Sequence, residues 1–493
     1  MKIRSVKVNY ILNMLRLTSS ILIGLITMPY INRVVGPVYL GKIEYINAII
    51  SYFILFSGLG IPIYGLKLVA RVRDNALELS KVICEIFIIL LCTSLVSYLV
   101  LFGILLNLPL FADYKLLIII MSSMILLTNI GLEWFFQGIE DQLYITIRTL
   151  VIRFITLALI FLLVKDESDY LYYAIIVVIN TVGGNLFNLI KARSYIDFKK
   201  IKFSDLNLIR HIKPSLAIFL ASISISLYLQ IDTFLLGLLA GDKYVGYYAA
   251  ANKLVRLVLV IITTVGVVML PRLTNHWEND RESYYELLHK TFNILVLISL
   301  PCAIYLFIFA QDIISLLAGR QFYTAVLTIK ILSPVCVLVA CAYFFAFLVL
   351  YIRNYEKLYS YIVALSAIAS IAINYYMISH YAHNGAAISQ LISELLGAVL
   401  LVLATLKLGL LKEAKNKLLD VNLFKIVFIN LLLFISFFHI TIMDTSENLI
   451  LSFIVKSSIY FLFYIVLLMV LRENLILTSF NKLKKIFNLL IMY

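Results

Sequence analysis

The sequence predicts an all-α membrane protein with about 14 transmembrane helices, built as two related sets of six helices followed by two more. The first observation is composition, because 63% of the 493 residues are hydrophobic, 14% are charged, and the mean hydropathy is +1.01. So few polar residues cannot cover the surface of a soluble protein of this size. The second is that apolar runs long enough to cross a hydrocarbon core of roughly 30 Å recur along the whole chain. The third is a corner motif that occurs at matching places in the two sets.

The apolar runs, and the charged or turn-forming segments between them, predict the individual spans. The predicted spans are 10–34, 43–66, 82–107, 116–136, 144–164, 170–190, 214–239, 244–270, 287–309, 322–350, 358–378, 385–406, 422–443 and 448–471. The first run continues to Tyr30 without a small-residue cleavage site, so we expect a first span and not a cleaved signal peptide.

The distribution of charge predicts the orientation of the spans. Lys and Arg favour alternate loops by roughly five to one, and this bias marks the cytoplasmic side. The longest basic stretches are 191–213, which includes Lys199, Lys200 and Lys202, and 407–420, which includes Lys412, Lys415 and Lys417. Both termini are therefore predicted to be cytoplasmic, with the basic tail 481–487 bound to lipid headgroups. The net charge of +14 comes mostly from basic residues in these alternate loops. It is therefore explained by membrane topology, and no nucleic-acid partner is predicted.

A repeated corner indicates an internal duplication. INRVVGPVYLGKIEYIN (31–47) joins spans 1 and 2, and LGLLAGDKYVGYYAAAN (236–252) joins spans 7 and 8. Four positions coincide at one offset: Gly36 with Gly241, Tyr39 with Tyr244, Gly41 with Gly246, and Asn47 with Asn252. Because both copies keep the same inside-outside sense, the two halves are predicted to be parallel repeats about an axis along the membrane normal.

This duplication predicts the domain organisation. We expect an N-terminal six-helix lobe at 1–200, a C-terminal six-helix lobe at 201–410, and two extra helices with a basic tail at 411–493. Transporters built from such repeats bind their cargo between the halves and alternate its access to the two sides. The outer turns at Gly36, Gly41, Gly241 and Gly246 are then the predicted hinges.

Basic residues inside the spans predict the charge of the cargo. A charge at the centre of a membrane helix costs about 2.5–3.5 kcal/mol, so each one calls for a reason. Lys253 and Arg256 share one face of span 8 beside Asn252, and Arg16 and Arg153 lie in spans 1 and 5. These five residues predict a cavity that binds an anionic group. For Arg16, as for Arg148, Glu133 and Lys456, a structural ion pair or a headgroup contact is the alternative.

Three polar residues are candidates for coupling transport to a cation. Asp232 and Asn374 have oxygen ligands that suit sodium, and Asp232 and Glu394 have carboxylates that can carry protons. A structural ion pair is the alternative for Asp232. No metal site or disulfide is predicted, since the five cysteines all lie in apolar runs and form no CxxC pair. No phosphate-binding loop, dinucleotide motif or nucleophile elbow is present, so we expect a transporter without a cofactor and not an enzyme.

Four segments, in this order, resemble the Wzx-type oligosaccharide flippases of the multidrug/oligosaccharidyl-lipid/polysaccharide exporter superfamily. They are YINRVVGPVYLGKIEYINAIISYFILFSGLGIPIYG (30–65), NIGLEWFFQGIEDQLYITIR (129–148), IDTFLLGLLAGDKYVGYYAAANKLVRL (231–257) and NGAAISQLISELLG (384–397). The resemblance covers residues 10–405, and the last two spans share only their hydrophobicity with the family.

The resemblance implies a fold and an activity. The implied fold is a V of two six-helix lobes with two trailing helices, as in multidrug exporters of the superfamily. The implied activity is to move an undecaprenyl-pyrophosphate-linked oligosaccharide to the outer leaflet of a bacterial inner membrane, in a pathway that includes a polymerase and a chain-length regulator. Arg16, Lys253 and Arg256 match positions at which such flippases place cavity cations. Asp232 and Asn374 fall on helices that contribute to a sodium site in the related lipid II flippase.

Three other functions are weighed against this one. A drug or cation antiporter of the same superfamily needs acidic cavity residues, whereas the charges within these spans are mainly basic. A teichoic-acid repeat exporter differs only in its cargo. A repeat-unit polymerase uses sizeable outer loops with clustered catalytic residues, and the predicted outer loops are roughly a dozen residues or fewer.

Overall fold

The computed structural model describes residues 6–196, 201, 203–411, 421–438 and 449–471. Several of the predicted features, namely Lys199, Lys200, Lys202, the stretch 412–420 and the tail 481–487, lie outside these described residues. Across the described residues the regular secondary structure is helical. The all-α fold class is therefore confirmed.

The chain divides into two compact units, an N-terminal unit at Met1–Gly246 and a C-terminal unit at Tyr247–Tyr493. The helices of the N-terminal unit are α1 (Val6–Gly58), α2 (Ile61–Val72), α3 (Ala76–Gly103), α4 (Lys115–Ile130), α5 (Glu133–Gly138), α6 (Gln142–Leu163), α7 (Tyr170–Val178), α8 (Gly184–Ala192) and α9 (Ile209–Leu239). Helix α9 belongs to this unit because it packs on α1 and α2. The predicted lobe boundaries at residues 200 and 410 stay predictions.

The next helix, α10, begins in the N-terminal unit and continues into the C-terminal unit. The remaining helices are α10 (Asp242–Asn279), α11 (Arg281–Ile308), α12 (Ala310–Leu317), α13 (Ala325–Leu332), α14 (Val335–Tyr343), α15 (Glu356–Lys407), α16 (Val421–Phe438) and α17 (Leu449–Val470). Two π-helical stretches, Ile179–Gly183 and Phe344–Tyr351, follow α7 and α14.

The first predicted corner is a sharp break at Gly36, where one helical segment ends and the next begins without a longer loop. Helix α1 carries predicted span 1 and most of span 2, and its helical geometry is interrupted only at Gly36, with φ 71° and ψ 173°. Glycine adopts this conformation without the steric cost that a side chain would add. The second half of predicted span 2 is broken as well, because Leu59 and Gly60 both have positive φ and α2 starts afresh at Ile61.

Predicted spans 11 and 12 are likewise two helical segments that meet at a single break. Helix α15 covers both spans, and its one non-helical residue is Ala382, with φ 47° and ψ −126°. The short outer loop expected at this point is therefore helical on both sides of a single strained alanine. A non-glycine residue in this region of the backbone costs of order 1–3 kcal/mol, so the surrounding packing must hold it there.

Eleven helices among the described residues are long and apolar enough to cross a membrane. The chain is therefore a multi-pass membrane protein. Within the described residues each predicted span is mainly helical, and α1 and α15 each hold two spans across a kink. The count of 14 crossings stays a prediction.

The core of the N-terminal unit sets the position of α5. Trp134, Phe135 and Phe136 of this short helix are buried among apolar residues of α2 and α3. Gly65 of α2 makes the approach possible, because a Cβ atom there would lie 2.6 Å from Cε3 of Trp134. Leu132, with φ 48°, turns the chain between α4 and α5. Burial of the three aromatic side chains thus fixes the direction of α5 and the position of the neighbouring Glu133.

Candidate functional site

A polar cavity of about 330 Å³ lies within the N-terminal unit, between α1, α5, α6 and the π-helical stretch that leads into α8. Most of its charged lining is basic. Its charged and amide lining residues are Arg16, Glu133, Arg148, Arg153, Asn180 and Asn185. We call it the arginine cavity. Three guanidinium groups with one carboxylate give it a formal charge of +2, which suits an anion.

The local sequence opens space for these side chains. The π-helical stretch Ile179–Gly183 inserts an extra residue into the helical register, a feature that is frequent at functional sites. It brings Gly184 against Arg148, where a Cβ atom would lie 2.8 Å from the guanidinium Nε and 3.1 Å from Cδ. Because Gly184 has no side chain, the guanidinium group of Arg148 has space to lie against it.

Arg148 is buried but incompletely satisfied. Its side chain is 7% exposed, and its Nη2 lies 3.5 Å from Oε2 of Glu133. Its Nε and Nη1 atoms have no hydrogen-bond partner among the described residues. A buried charge is stable only when it is paired and hydrogen-bonded, so this guanidinium favours a further negatively charged acceptor.

Glu133 is shared between two arginines. Its Oε1 lies 3.5 Å from Nη1 of Arg16 and its Oε2 lies 3.5 Å from Nη2 of Arg148. The amide of Gln137 donates to Oε1 at 3.4 Å. Close guanidinium–carboxylate pairs have separations of about 2.7–2.9 Å, so each of these contacts is weak. The structural ion pair weighed for Arg16, Arg148 and Glu133 is therefore present in a loose form.

Arg153 joins α6 to α1. Its Nη1 donates to the backbone carbonyl of Arg16 and, at 2.6 Å, to Oγ of Ser19. Arg16 in turn donates through Nη2 to Oδ1 of Asn13 at 2.9 Å. Arg153 thus fixes the part of α1 that presents Arg16, while both residues line the cavity.

The structure brings together two of the predicted anion-binding residues, Arg16 and Arg153, and adds Arg148. The other three lie on α10, where Asn252 is buried, Lys253 is half-buried and Arg256 is exposed. Their part in binding stays a prediction. The Glu–Arg contacts could not be read from sequence, although the glycine pair Gly183–Gly184 within an apolar span is a signal for a local irregularity.

The predicted coupling residues lie in both units. Asp232 is buried on α9, while Asn374 and Glu394 lie on α15 in the C-terminal unit. Asn374 is 0% exposed and its Nδ2 donates to Oγ of Ser370 at 3.1 Å, and Glu394 is half-buried. A role for these three residues in binding sodium or protons stays a prediction. The fourth residue weighed as a structural pair, Lys456, lies 3.5 Å from Oδ2 of Asp312.

The predicted hinge glycines lie at close backbone contacts or at positive φ. Gly36 and Gly241 have φ 71° and 95°, so both use the conformational freedom of glycine. A Cβ atom at Gly41 would lie 1.8 Å from the carbonyl oxygen of Asp242, and one at Gly246 would lie 1.9 Å from that of Pro37. The two copies of the corner therefore pack directly on each other. That they act as hinges stays a prediction.

A second charged cluster was missed from sequence. Glu85, 1% exposed on α3, accepts from Nη2 of Arg210 and Nε2 of His211, both at 2.6 Å, and from the backbone amide of Asn207 at 2.7 Å. His211 also contacts the hydroxyl of Tyr64 through Nδ1 at 2.8 Å. The cluster ties the start of α9 to α2 and α3. No spacing rule links residues so far apart in sequence.

Two family models match most of the chain. Residues 6–277 match the model described as polysaccharide biosynthesis protein, and residues 149–463 match the model described as lipid II flippase MurJ. Two curated relatives carry the name "Putative O-antigen transporter". The one from Escherichia coli strain K12 is 23% identical over 387 residues, covering 78% of this chain and 93% of the relative. The one from Shigella dysenteriae is 24% identical over 406 residues, covering 81% and 99%.

Solved structures share the fold. The lipid II flippase MurJ in an inward closed conformation superposes with a TM-score of 0.71 at 15% identity, covering 95% of this chain and 100% of that chain. A multidrug resistance MATE family transporter in an inward-facing conformation superposes with a TM-score of 0.64 at 16% identity, covering 81% and 96%. At these identities the similarity establishes the architecture alone.

Proposed function

Because the chain belongs to the polysaccharide biosynthesis protein family, we propose that it is a flippase for lipid-linked oligosaccharides. The predicted resemblance to the Wzx-type members of the exporter superfamily is confirmed by this match and by the O-antigen transporters among its relatives. The cargo is an undecaprenyl-pyrophosphate-linked repeat unit of an O-antigen, capsule or exopolysaccharide. The flippase moves it from the cytoplasmic to the outer leaflet by alternating access.

The arginine cavity is the observation that carries this proposal. A pyrophosphate headgroup must lose much of its hydration to enter a membrane protein, and guanidinium groups offset this cost through charge-assisted hydrogen bonds. Arg148 is buried with two donors to offer, while Arg16 lines the same space. Because the arginines bind the headgroup, the attached oligosaccharide can be carried even if it is uncharged.

The same cavity argues against the principal alternative. An antiporter for cationic drugs shares the fold, as the MATE structure shows, but it requires a site with excess negative charge. Here three arginines face one glutamate, so a cationic ligand would be repelled. A teichoic-acid exporter remains compatible, because its lipid-linked cargo carries the same diphosphate.

The finer assignments belong to the same proposal. The protein resides in a bacterial cytoplasmic membrane with both termini in the cytoplasm, in accord with the positive-inside bias. Lys253, Arg256 and Asn252 contribute to cargo binding, and a Na⁺ or H⁺ gradient acts through Asp232, Asn374 or Glu394. A polymerase and a chain-length regulator act on the cargo after it has crossed.

The membrane potential favours the proposed direction of transport. Moving one elementary charge through 100 mV is worth about 2.3 kcal/mol, and an inside-negative potential drives anions outward. A pyrophosphate diester carries negative charge to the outer leaflet. The role of the cavity arginines is then to hold and dehydrate the headgroup, while the potential or an ion gradient biases the cycle.

Reconstitution of the full-length protein tests the proposal. Proteoliposomes would be loaded with fluorescently labelled undecaprenyl-pyrophosphate oligosaccharide, and arrival of label in the opposite leaflet would be measured with an impermeant quencher. We expect the wild type to transport the cargo. In Arg148→Gln the transport rate should fall at least about tenfold, because losing one charge-assisted hydrogen bond costs about 1.4 kcal/mol.

Arg73→Gln is the matched control, because Arg73 pairs with Glu140 at 2.7 Å and does not line the cavity. It should transport at the wild-type rate. Transport of the cationic dye ethidium in place of the lipid-linked cargo would overturn the proposal and favour the antiporter.

A further inference from the structure

Glu133 is held more loosely than Glu140 and Glu85, two other carboxylates that pair with arginine among the described residues. Arg73 and Glu140 approach to 2.7 Å, and Arg210 and Glu85 to 2.6 Å. Glu133 reaches Arg16 and Arg148 only at 3.5 Å, the longest separation among these pairs. Its side chain is 37% exposed, so it also has access to the cavity space. Arginine and carboxylate form short bidentate pairs when geometry allows, and here the geometry does not.

Arg148 is buried, and its loose contact with Glu133 leaves some of its hydrogen-bond donors without an acceptor among the described residues. Its side chain is 7% exposed, yet Nε and Nη1 have no hydrogen-bond partner among the described residues. Glu133 supplies a negative charge to this guanidinium but does not satisfy its donors. The cavity beside the two groups has room for a small polyanion, with a volume of about 330 Å³.

We propose that Glu133 is an internal competitor for the anion site: it partly neutralises Arg16 and Arg148 while the site is empty and is displaced when a diphosphate binds. This inference rests on the proposed function and adds a residue that sets affinity and release. Displacement keeps negative charge beside the two arginines in both states. The diphosphate brings more acceptor oxygens than one carboxylate, so it satisfies donors that Glu133 leaves unpaired.

The position of Glu133 allows this exchange without unfolding its surroundings. It starts the six-residue helix α5, whose aromatic residues stay anchored in the core. Its side chain contacts Gln137 of the same helix at 3.4 Å and is partly open to the cavity. Like charges repel, so a bound diphosphate would turn the carboxylate away. On release of the cargo, Glu133 returns to the arginines and opposes rebinding.

The test measures anion binding to the purified full-length protein in detergent by calorimetry. Two probes are used, inorganic pyrophosphate and farnesyl pyrophosphate, which separate a site for the free anion from a site for the lipid headgroup. In Glu133→Gln we expect the affinity for pyrophosphate to rise about tenfold, because a competing interaction worth about 1.4 kcal/mol is removed. Glu140→Gln removes a carboxylate outside the cavity and should leave the affinity unchanged.

Two further variants make the result decisive. Glu133→Asp keeps the charge on a shorter side chain and should also tighten binding, so it replaces the glutamine variant if that protein is not stable. The double variant Glu133→Gln with Arg148→Gln should lose the gain, because the two changes act on one interaction. Weaker or unchanged binding in Glu133→Gln would overturn the proposal, since it would show that the carboxylate positions the arginines or has no part in the site.

The readout also separates this inference from the proposed function. If pyrophosphate binding tightens but no lipid-linked oligosaccharide is transported in proteoliposomes, the competitor role stands and the flippase role fails. If transport occurs but Glu133→Gln does not tighten binding, the flippase role stands and the competitor role fails. If both hold, transport by Glu133→Gln should be slower than wild type at saturating cargo, because release is slowed.

Discussion

Gly41 and Gly246 occupy the same place in two copies of one corner motif, and each lies against the backbone of the other copy. A Cβ atom at Gly41 would lie 2.8 Å from the amide nitrogen of Gly246, and one at Gly246 would lie 3.0 Å from Cα of Pro37. Backbone can approach the Cα of these two residues this closely because glycine has no Cβ atom. The duplicated corner is thus also a contact between its copies, which explains why glycine is present in both.

The first prediction follows from this contact. Gly41→Ala places a methyl group into the carbonyl of Asp242 and should destabilise the protein by about 3 kcal/mol or more, since backbone must move to relieve the overlap. Thermal unfolding of the purified protein would measure this destabilisation. Gly24→Ala is the control on the same helix, because no atom lies within 4 Å of the added methyl group there. An equal unfolding temperature for the two variants would contradict the structure.

The second prediction concerns the exposed arginine of α10. Arg256→Ala should abolish surface polysaccharide in cells while the protein remains in the membrane at normal amounts, because the cation predicted to engage the cargo is lost. Arg272→Ala is the control, since this arginine is exposed on the same helix. Immunoblotting of membranes and staining of polysaccharide give the two readouts. Normal polysaccharide in Arg256→Ala would refute the role assigned to this residue.

The helices were predictable from sequence because the membrane imposes their length and apolarity. The breaks within the helices were less predictable. Ala382 has positive φ although alanine has the highest intrinsic helix propensity, so its conformation is set by tertiary packing and leaves no local signal. The same holds for Leu59 and Leu132, whose left-handed backbone ends α1 and redirects the chain into α5. Predicted spans therefore locate the helices but not these kinks.

The candidate site was predictable only in part. Arg16 and Arg153 were recognised because charges within apolar spans are costly, but nothing in their spacing indicated that they share a cavity with Arg148. That arrangement depends on the direction of α5 and on the π-helical stretch before Gly184, both of which are consequences of packing. Charge in a span can thus be read from sequence, whereas its partner must be seen in the structure.

The third prediction tests the room left for Arg148. Gly184→Ala would place a methyl group 2.8 Å from its Nε, and the flexible side chain would shift while the fold persists. Binding of pyrophosphate should weaken about tenfold, because a guanidinium displaced from its site loses roughly one charge-assisted hydrogen bond. Calorimetry on the detergent-solubilised protein measures the affinity.

The neighbouring glycine is the control for this change. A Cβ atom at Gly183 would approach the Cγ2 methyl of Ile179 at 3.1 Å and does not meet Arg148. Gly183→Ala should therefore retain wild-type affinity for pyrophosphate. If both variants bind equally well, Arg148 does not take part in anion binding.

The fourth prediction addresses the buried cluster at the start of α9. Glu85 is 1% exposed and accepts hydrogen bonds from Arg210, His211 and the backbone of Asn207. Glu85→Gln removes its charge while the donors around it stay, and leaving a buried donor unsatisfied in this way costs about 1–3 kcal/mol. We expect a drop in unfolding temperature, and faster proteolysis near the start of α9 as it detaches from α3.

Glu78 provides a matched comparison because it pairs with the same arginine from the surface. It lies 3.1 Å from Nη2 of Arg210, but its side chain is 37% exposed. Exposed pairs contribute about 0–1 kcal/mol, so Glu78→Gln should change the unfolding temperature little. The difference between the two glutamates depends on burial and not on their shared partner. Equal destabilisation by both variants would show that the buried cluster does not hold α9 in place.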